Sequence, residues 1–206
     1  MKPSAEVRWF YRGKMSKEVR DWFCGAKLCK EEMVRTDYYI AFPGSNDVGV
    51  KVRDGRKLEI KARTKAPEPF SLATGASVGR QDVWTKWSHE DREVAGRLAA
   101  LAGNSPEWVA VAKKRWVRKF HLDASGNVVE VDPDTELDHG CSAELTELII
   151  RDSHWWTLAF ESFGEEDRPA NLEQVARHFL KVLPRGLALT ERDSMAYPEW
   201  LSRLSE

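Results

Sequence analysis

Between Arg35 and Arg63 the chain reads RTDYYIAFPGSNDVGVKVRDGRKLEIKAR, with charges on alternate positions of two strand-like segments. Successive strand residues face opposite sides, so Lys51 and Arg53 share one face while Val50 and Val52 share the other. The next segment repeats the pattern, with Glu59, Lys61 and Arg63 against Leu58 and Ile60. Such bases suit a phosphorylated ligand, because phosphoryl chemistry asks mainly for positioning and charge neutralisation. Arginine offers planar bidentate contacts to phosphate, and lysine a mobile point charge. An ordinary half-buried sheet would turn the same charged face to water. The chemistry therefore depends on which face the fold encloses.

Acids that could match these bases also fall in strand-like segments, at Glu6, Glu59, Glu144 and Glu161. Glu147 breaks the apolar register after Glu144, so one of that pair is expected to face water. Mg²⁺ or Mn²⁺ takes oxygen ligands, and one or two carboxylates plus phosphate oxygens suffice. Glu6, Glu144 and Glu161 are the candidate metal ligands, or else partners that orient the bases. A second basic run, Lys113-Lys114-Arg115-Trp116-Val117-Arg118-Lys119-Phe120, interleaves cations and aromatics as single-stranded nucleic-acid binders do. Trp84 and Trp87 would offer stacking surfaces. Because the bases are spread over several strands, an enclosed anion pocket is the first expectation and a nucleic-acid surface the alternative.

Other chemistries find little support. His89, His121, His139, His154 and His178 show no pairing at metal-ligand or triad spacing, and the glycines form no phosphate loop. Cys24, Cys29 and Cys141 are odd in number and fit reduced, buried thiols. The 206 residues carry 32 basic and 33 acidic side chains, a net charge of -1, so no global field draws in nucleic acid or membrane. No stretch is long and apolar enough to span a bilayer, and the first residues lack the apolar run of a signal peptide. A cytoplasmic protein is expected.

The elements that must position these residues follow from alternation and turn signals. Glu6–Tyr11 reads as a strand with Glu6, Arg8 and Phe10 on one face and Val7, Trp9 and Tyr11 on the other. Ser16 caps a helix carrying Val19, Trp22 and Phe23, with Leu28 and Met33 near its end. Arg35–Phe42, Val48–Arg53 and Lys57–Arg63 follow as antiparallel strands, joined by turns at Pro43-Gly44-Ser45-Asn46 and Asp54-Gly55-Arg56. Ala66–Gly79 reads as a connection and Arg80–Trp87 as a strand. Ser88, with Asp91 three residues on, signals a helix through Leu101. Trp108–Phe120 is a long strand, Val131–His139 an acidic loop, and Ser142–Ile150 and Trp155–Phe163 two more strands. Asn171–Leu183 reads as a helix capped by Asn171, and Tyr197–Leu204 as a short helix with Pro198 in its first turn.

Eight strands with charge at every second position fit a closed barrel, whose interior at this strand number holds packed side chains or one small ligand. A dry interior filled by Lys51, Arg53, Lys61 and Arg63 would cost several kcal/mol for each ion. A wet interior with acids opposite the bases removes that objection, and a bound anion would complete the neutralisation. The expected fold class is α+β, an eight-stranded antiparallel tunnel with flanking helices.

These residues bring the chain to a resemblance with the CYTH, or triphosphate tunnel metalloenzyme, superfamily. Arg35-Thr36-Asp37-Tyr38-Tyr39 resembles its second-strand signature, Val50-Lys51-Val52-Arg53 its third-strand basic pair, and Leu58-Glu59-Ile60-Lys61 its fourth strand. Lys113-Lys114-Arg115 is similar to the later basic strand. Ala143-Glu144-Leu145-Thr146-Glu147 and Leu158-Ala159-Phe160-Glu161 are similar to the acidic pair. The resemblance implies an eight-stranded tunnel over residues 1–165, with residues 166–206 as a helical appendage packed on it. In such a tunnel Lys51, Arg53, Lys61, Lys86 and Arg115 are expected to neutralise phosphate, with Glu59, Arg63 and Lys113 beside them. Glu6, Glu144 and Glu161 would hold Mg²⁺ or Mn²⁺. The family's first strand carries two glutamates and a lysine on one face, whereas this chain has Glu6, Arg8 and Phe10. The expected ligand is a small organic or inorganic polyphosphate, with slow metal-dependent hydrolysis as the enzymatic version. A noncatalytic anion sensor or adaptor is the alternative that Arg8 favours.

Overall fold

A computed structural model describes residues 1–25, 28–41, 44, 46–72, 77–164 and 168–204. Eight antiparallel strands close into a barrel. In chain order they are β1 (Lys2–Arg12), β3 (Arg35–Ile40), β4 (Val48–Arg53), β5 (Lys57–Arg63), β7 (Ser77–Glu90), β8 (Trp108–Leu122), β10 (Gly140–Ile150) and β11 (Ser153–Phe163). Around the wall the order is β1-β11-β10-β8-β3-β4-β5-β7, and β7 pairs back with β1 to remove the free edge. Three short strands decorate it: β2 (Lys30–Glu31) and β9 (Val128–Val131) on β8, and β6 (Glu68–Ser71) on β7. Four helices flank the barrel: α1 (Lys17–Cys24), α2 (Arg92–Ala102), α3 (Arg168–Phe179) and α4 (Tyr197–Arg203).

Closure gives the alternation its meaning. On β1, β8, β10 and β11 the outward positions are large and apolar, among them Val7, Trp9, Trp116, Leu145, Leu158 and Phe160. They pack against Val19 and Phe23 of α1 and Leu172, Val175 and Ala176 of α3, which forms the main core outside the barrel. The inward positions of the same strands are polar over the middle of the barrel, at Glu6, Arg8, Lys113, Arg115, Glu144, Thr157 and Glu161. Opposite this wall, α2 approaches one end of β4 and β5, where Val52 is fully buried. Val50, Leu58 and Ile60 are only half-buried, and Trp87 beside Ile60 is 43% exposed. Of the four apolar residues on the outer face of this hairpin, Val52 alone is fully buried.

A second apolar cluster lies at one barrel end. Phe10, Tyr39, Val109, Val111, Leu148 and Ile150 of the strands meet Met195, Trp200 and Leu201 of the C-terminal segment. Phe10 stacks on Trp200 at 4.7 Å and Tyr39 on Tyr197 at 5.3 Å between ring centroids. Gly49 makes room for this plug, since a Cβ there would stand 3.3 Å from Cγ of Pro198. The segment is fixed at the β1–β7 seam, where Ser194 bridges Trp9 and its carbonyl accepts from the Arg80 guanidinium. Arg80 also holds Glu199 of α4.

Several boundaries differ from the sequence reading for local reasons. The first helix stops at Cys24, leaving Leu28 in a turn and Met33 90% exposed. Ser88 belongs to β7, and the cap of α2 is Asp91, whose carboxylate accepts from the amides of Glu93 and Val94. Asn171 lies inside α3, which begins three residues earlier at Arg168 and ends at Phe179. The stretch read as a plain connection contains β6, and β9 precedes the acidic loop. β1, β7 and β8 run longer than expected because neighbouring strands carry their ladders onward. Phe42, Pro43 and Ser45 of the expected strand end and turn lie outside the described residues, as do Ala73–Ala76 of the connection. The second turn is present, with Asp54 and Gly55 at φ of 50° and 59°, as a tight hairpin demands.

Replacing Trp200 by alanine should destabilise the protein by about 3–5 kcal/mol, because it empties the centre of the plug. Trp87→Ala on the open outer face should cost no more than about 1 kcal/mol. Urea unfolding of the two variants checks the contrast, and equal losses would count against α4 as a structural plug.

Candidate functional site

The inward side chains enclose a cavity of about 100 Å³, extending from the β1–β11 wall to α4. Lys51, Arg53 and Glu59 enter from β4 and β5, and Lys61 and Lys86 from β5 and β7. Lys113 and Arg115 come from β8, Glu144 from β10, Glu161 from β11, and Glu6 and Arg8 from β1. Tyr197, Pro198 and Leu201 of α4 close one side. Of the residues expected to contact phosphate, hold a metal or support them, Arg63 alone is missing from the described lining of the cavity. Its guanidinium instead lies 2.9 Å from Asp47 and from Asp82, above the Trp84 ring. Glu144 is buried and Glu147 partly exposed, as the change of register at that point required.

The ladder explains why these groups meet. Glu6 is directly opposite Glu161, Lys51 opposite Glu59, and Lys61 opposite Lys86. Residues paired across antiparallel strands share a face, so each wall position places its charge beside its neighbours'. Arg8 sits at the centre. Its Nε donates to Glu6 at 2.7 Å, Nη1 to Thr157 at 3.0 Å, and Nη2 to Glu144 at 3.2 Å. Lys61 joins Glu6 at 3.0 Å to Glu161 at 2.9 Å. From Glu144 the chain of pairs runs through Arg115 and Glu32 to Arg35 and Asp37. Asp37 faces Lys113 at 3.2 Å, while Glu59 lies 2.9 Å from the Lys51 ammonium and 3.2 Å from the Arg53 guanidinium. Lys86 has no ion-pair partner among the described residues.

Burial and neighbours shift the ionisation of this cluster. For Glu144, desolvation is outweighed by Arg115 and Arg8, which hold its carboxyl far below the usual range. Glu161 is lowered to about 2, chiefly because Lys61 overcomes its burial, and Glu59 is also lowered to about 2 as Lys51 and Arg53 outweigh desolvation. Lys51 and Lys113 move the other way. Desolvation, with Arg53 beside Lys51 and Arg35 near Lys113, brings each ammonium down to about 7. Lys113 donates to the Tyr39 hydroxyl and sits 4.1 Å from the Tyr197 ring centroid.

The carboxylates expected to hold a divalent ion are already engaged. Both oxygens of Glu6 and of Glu144 meet cations, and Glu161 is tied to Lys61. Arg8 stands between Glu6 and Glu144, where a metal would need to be. Among the described residues no group of three His, Cys, Asp or Glu side chains is arranged to hold a metal ion. The residues as placed do not fit Mg²⁺ or Mn²⁺ without displacement of Arg8 or Lys61.

Several members of the cluster were missed from sequence. Arg35, Asp37 and Tyr39 alternate along β3 and could have been assigned to the interior by the same rule as Lys51 and Arg53. Glu32 lies in an irregular stretch just after β2, and Tyr197 reaches the cavity from a helix distant in sequence, so neither carries a local signal. The basic run of β8 divides between faces. Lys113 and Arg115 point inward, whereas Lys114 pairs with Glu31 and Arg118 with Glu130 on the outside. No helix among the described residues is long and apolar enough to cross a membrane.

No family model matches the chain. No curated protein matches it either. Among solved structures, the PH1012 protein from Pyrococcus horikoshii OT3 is similar over 94% of this chain and 98% of its own, at 12% identity and a TM-score of 0.42. A likeness of that size carries no argument about function.

Arg8→Ala should destabilise the fold by about 3–5 kcal/mol at neutral pH, because Glu6 and Glu144 would be left buried without their shared cation. Without Arg8 their carboxyls regain protons more readily, so the penalty should shrink as pH falls from 7 to about 5. Denaturant unfolding at the two pH values tests the sign. A penalty that grows toward acid would rule out this account.

Proposed function

We propose that the tunnel binds a small phosphorylated anion, and does so without a metal ion. The supporting observation is the charge imbalance of the lining: eight lysine and arginine side chains against four glutamates. Lys86, which lines the cavity and has no ion-pair partner among the described residues, is a donor still free to meet a ligand. The closed eight-stranded antiparallel barrel and the strand motifs are compatible with a CYTH-like protein, which points the reading toward polyphosphate. The cavity of about 100 Å³ is small beside ligand pockets of roughly 300 Å³ and above. It favours inorganic phosphate groups or the phosphate end of a larger molecule over a fully enclosed nucleotide.

Arg8 supports binding over turnover. A fixed cation between Glu6 and Glu144 neutralises the acids that would recruit a metal and repels the metal itself. The sensor or adaptor version of this function follows, and slow hydrolysis at one divalent ion is the enzymatic alternative. A single-stranded nucleic acid has less to recommend it, since the outward bases of β8 are held by Glu31 and Glu130.

Sulfate and tripolyphosphate should each raise the melting temperature in the absence of metal. Lys86→Ala should reduce the shift while leaving the ligand-free protein as stable as before. Sulfate keeps its charge across neutral pH, so it isolates the protein's own titration. Lys51 and Lys113 are ammonium ions below about pH 7 and lose charge above it. Sulfate stabilisation should accordingly fall as pH rises from about 6 to about 8.5. Phosphate release from tripolyphosphate with added Mg²⁺ or Mn²⁺ would favour the enzymatic alternative. No thermal shift from either anion would overturn the binding reading.

A further inference from the structure

The barrel interior continues beyond the plug. On the other side of Leu201 from the tunnel lies a second cavity, of about 240 Å³. Its apolar surface comes from Val109, Ile150 and Leu201, with Trp155 alongside. Three guanidiniums stand around it: Arg12 at the end of β1, Arg151 in the β10–β11 turn, and Arg203 at the end of α4.

The backbone fixes this arrangement. Arg12 is directly opposite Trp155 in the β1–β11 ladder, so the two side chains share the inward face at this end. Arg151 and Asp152, at φ of 46° and 64°, make the two-residue turn that carries Arg151 to the rim. Arg203 is tethered to Glu199 at 2.6 Å, while Arg12 and Arg151 have no ion-pair partner among the described residues. No carboxylate lines the cavity among those residues, in contrast to the tunnel, where acids stand beside nearly every base. Gathered guanidiniums without an acid repel one another, and a bound anion relieves that repulsion. Guanidinium is also the side chain best shaped to grip a planar or tetrahedral oxyanion. The apolar floor and the indole ask for more than an inorganic ion.

We infer that this cleft is a second ligand site, separate from the tunnel, for an amphiphilic anion. The anionic head, whether phosphate, sulfonate or carboxylate, lies between Arg12 and Arg151. A flat apolar body rests on Trp155 and Leu201. The site does not depend on the tunnel's own ligand.

The fluorescent sulfonate 8-anilinonaphthalene-1-sulfonate has this chemistry and serves as the probe. Titration into the intact protein should give one saturable site. Arg12→Gln combined with Arg151→Gln should weaken it about tenfold, the loss expected when charge-assisted contacts are removed. Both arginines are exposed, so the double variant should melt with the parent. Ser153→Trp, which fills the cleft without altering its charge, should also abolish binding. Lys86→Ala, which alters the tunnel, should leave the dye affinity unchanged. Absence of saturable binding, binding indifferent to the double variant and to Ser153→Trp, or binding lost in Lys86→Ala would each overturn the assignment.

Discussion

The pairing of Arg8 with Glu6 and Glu144 is the constraint on which the barrel's interior depends. Each of these groups is at least nine-tenths shielded from water, and an isolated ion in such a place would cost several kcal/mol. Together they form the hub of a network that passes from wall to wall through Lys61, Arg115 and Asp37. The network permits the inward positions along the middle of a closed sheet to carry charge, while those at the plugged end are apolar. Hydrophobic stabilisation is consequently displaced to the outside of β1, β8, β10 and β11, where α1 and α3 cover the strands. The apolar faces of this protein look outward and its charges look inward, opposite to an ordinary half-buried sheet.

The C-terminal segment completes the interior at one end by different means. Charge gives way there to aromatic packing, with Tyr197 and Trp200 stacked on Tyr39 and Phe10. Tyr197 also faces Arg8 and Lys113, so the plug supplies ring faces to cations at the boundary between the two regimes. The Arg80 contacts to Ser194 and Glu199 anchor α4 at the β1–β7 seam. A small helix thereby separates two hollows of different character: one is lined by bases with acids among them, and the other by guanidiniums with no carboxylate in its described lining.

Much of this was legible in sequence because the signal was periodic. Lys51, Arg53, Glu59 and Lys61 were placed on one face by alternation alone, and the eight barrel strands by alternation plus turns. The same rule applied to Arg35, Asp37 and Tyr39 would have extended the interior to β3. What escaped was set by tertiary contact. The ends of β7 and β8 depend on which neighbours continue their ladders, the cap of α2 on the competing claim of β7 to Ser88, and the position of Tyr197 on packing against strands more than a hundred residues away. The occupation of Glu6 and Glu144 by Arg8 was suggested by the substitution itself, but the distances that make their carboxylates poor metal ligands exist only in the closed barrel.

The order of strands around the wall also bears on how the molecule is made. β1 is synthesised before the other strands of the barrel, yet one neighbour is β7 and the other is β11, more than 140 residues later. Until Ser153–Phe163 has been synthesised, one edge of β1 has no partner, and Glu6 and Arg8 have no enclosure. Topologies dominated by such distant pairings fold slowly, because loop-closure entropy is spent before the contacts that repay it. During synthesis the chain therefore passes through a stage in which its first strand is an unpaired edge carrying Val7, Trp9 and Phe10, the form most exposed to association with other chains.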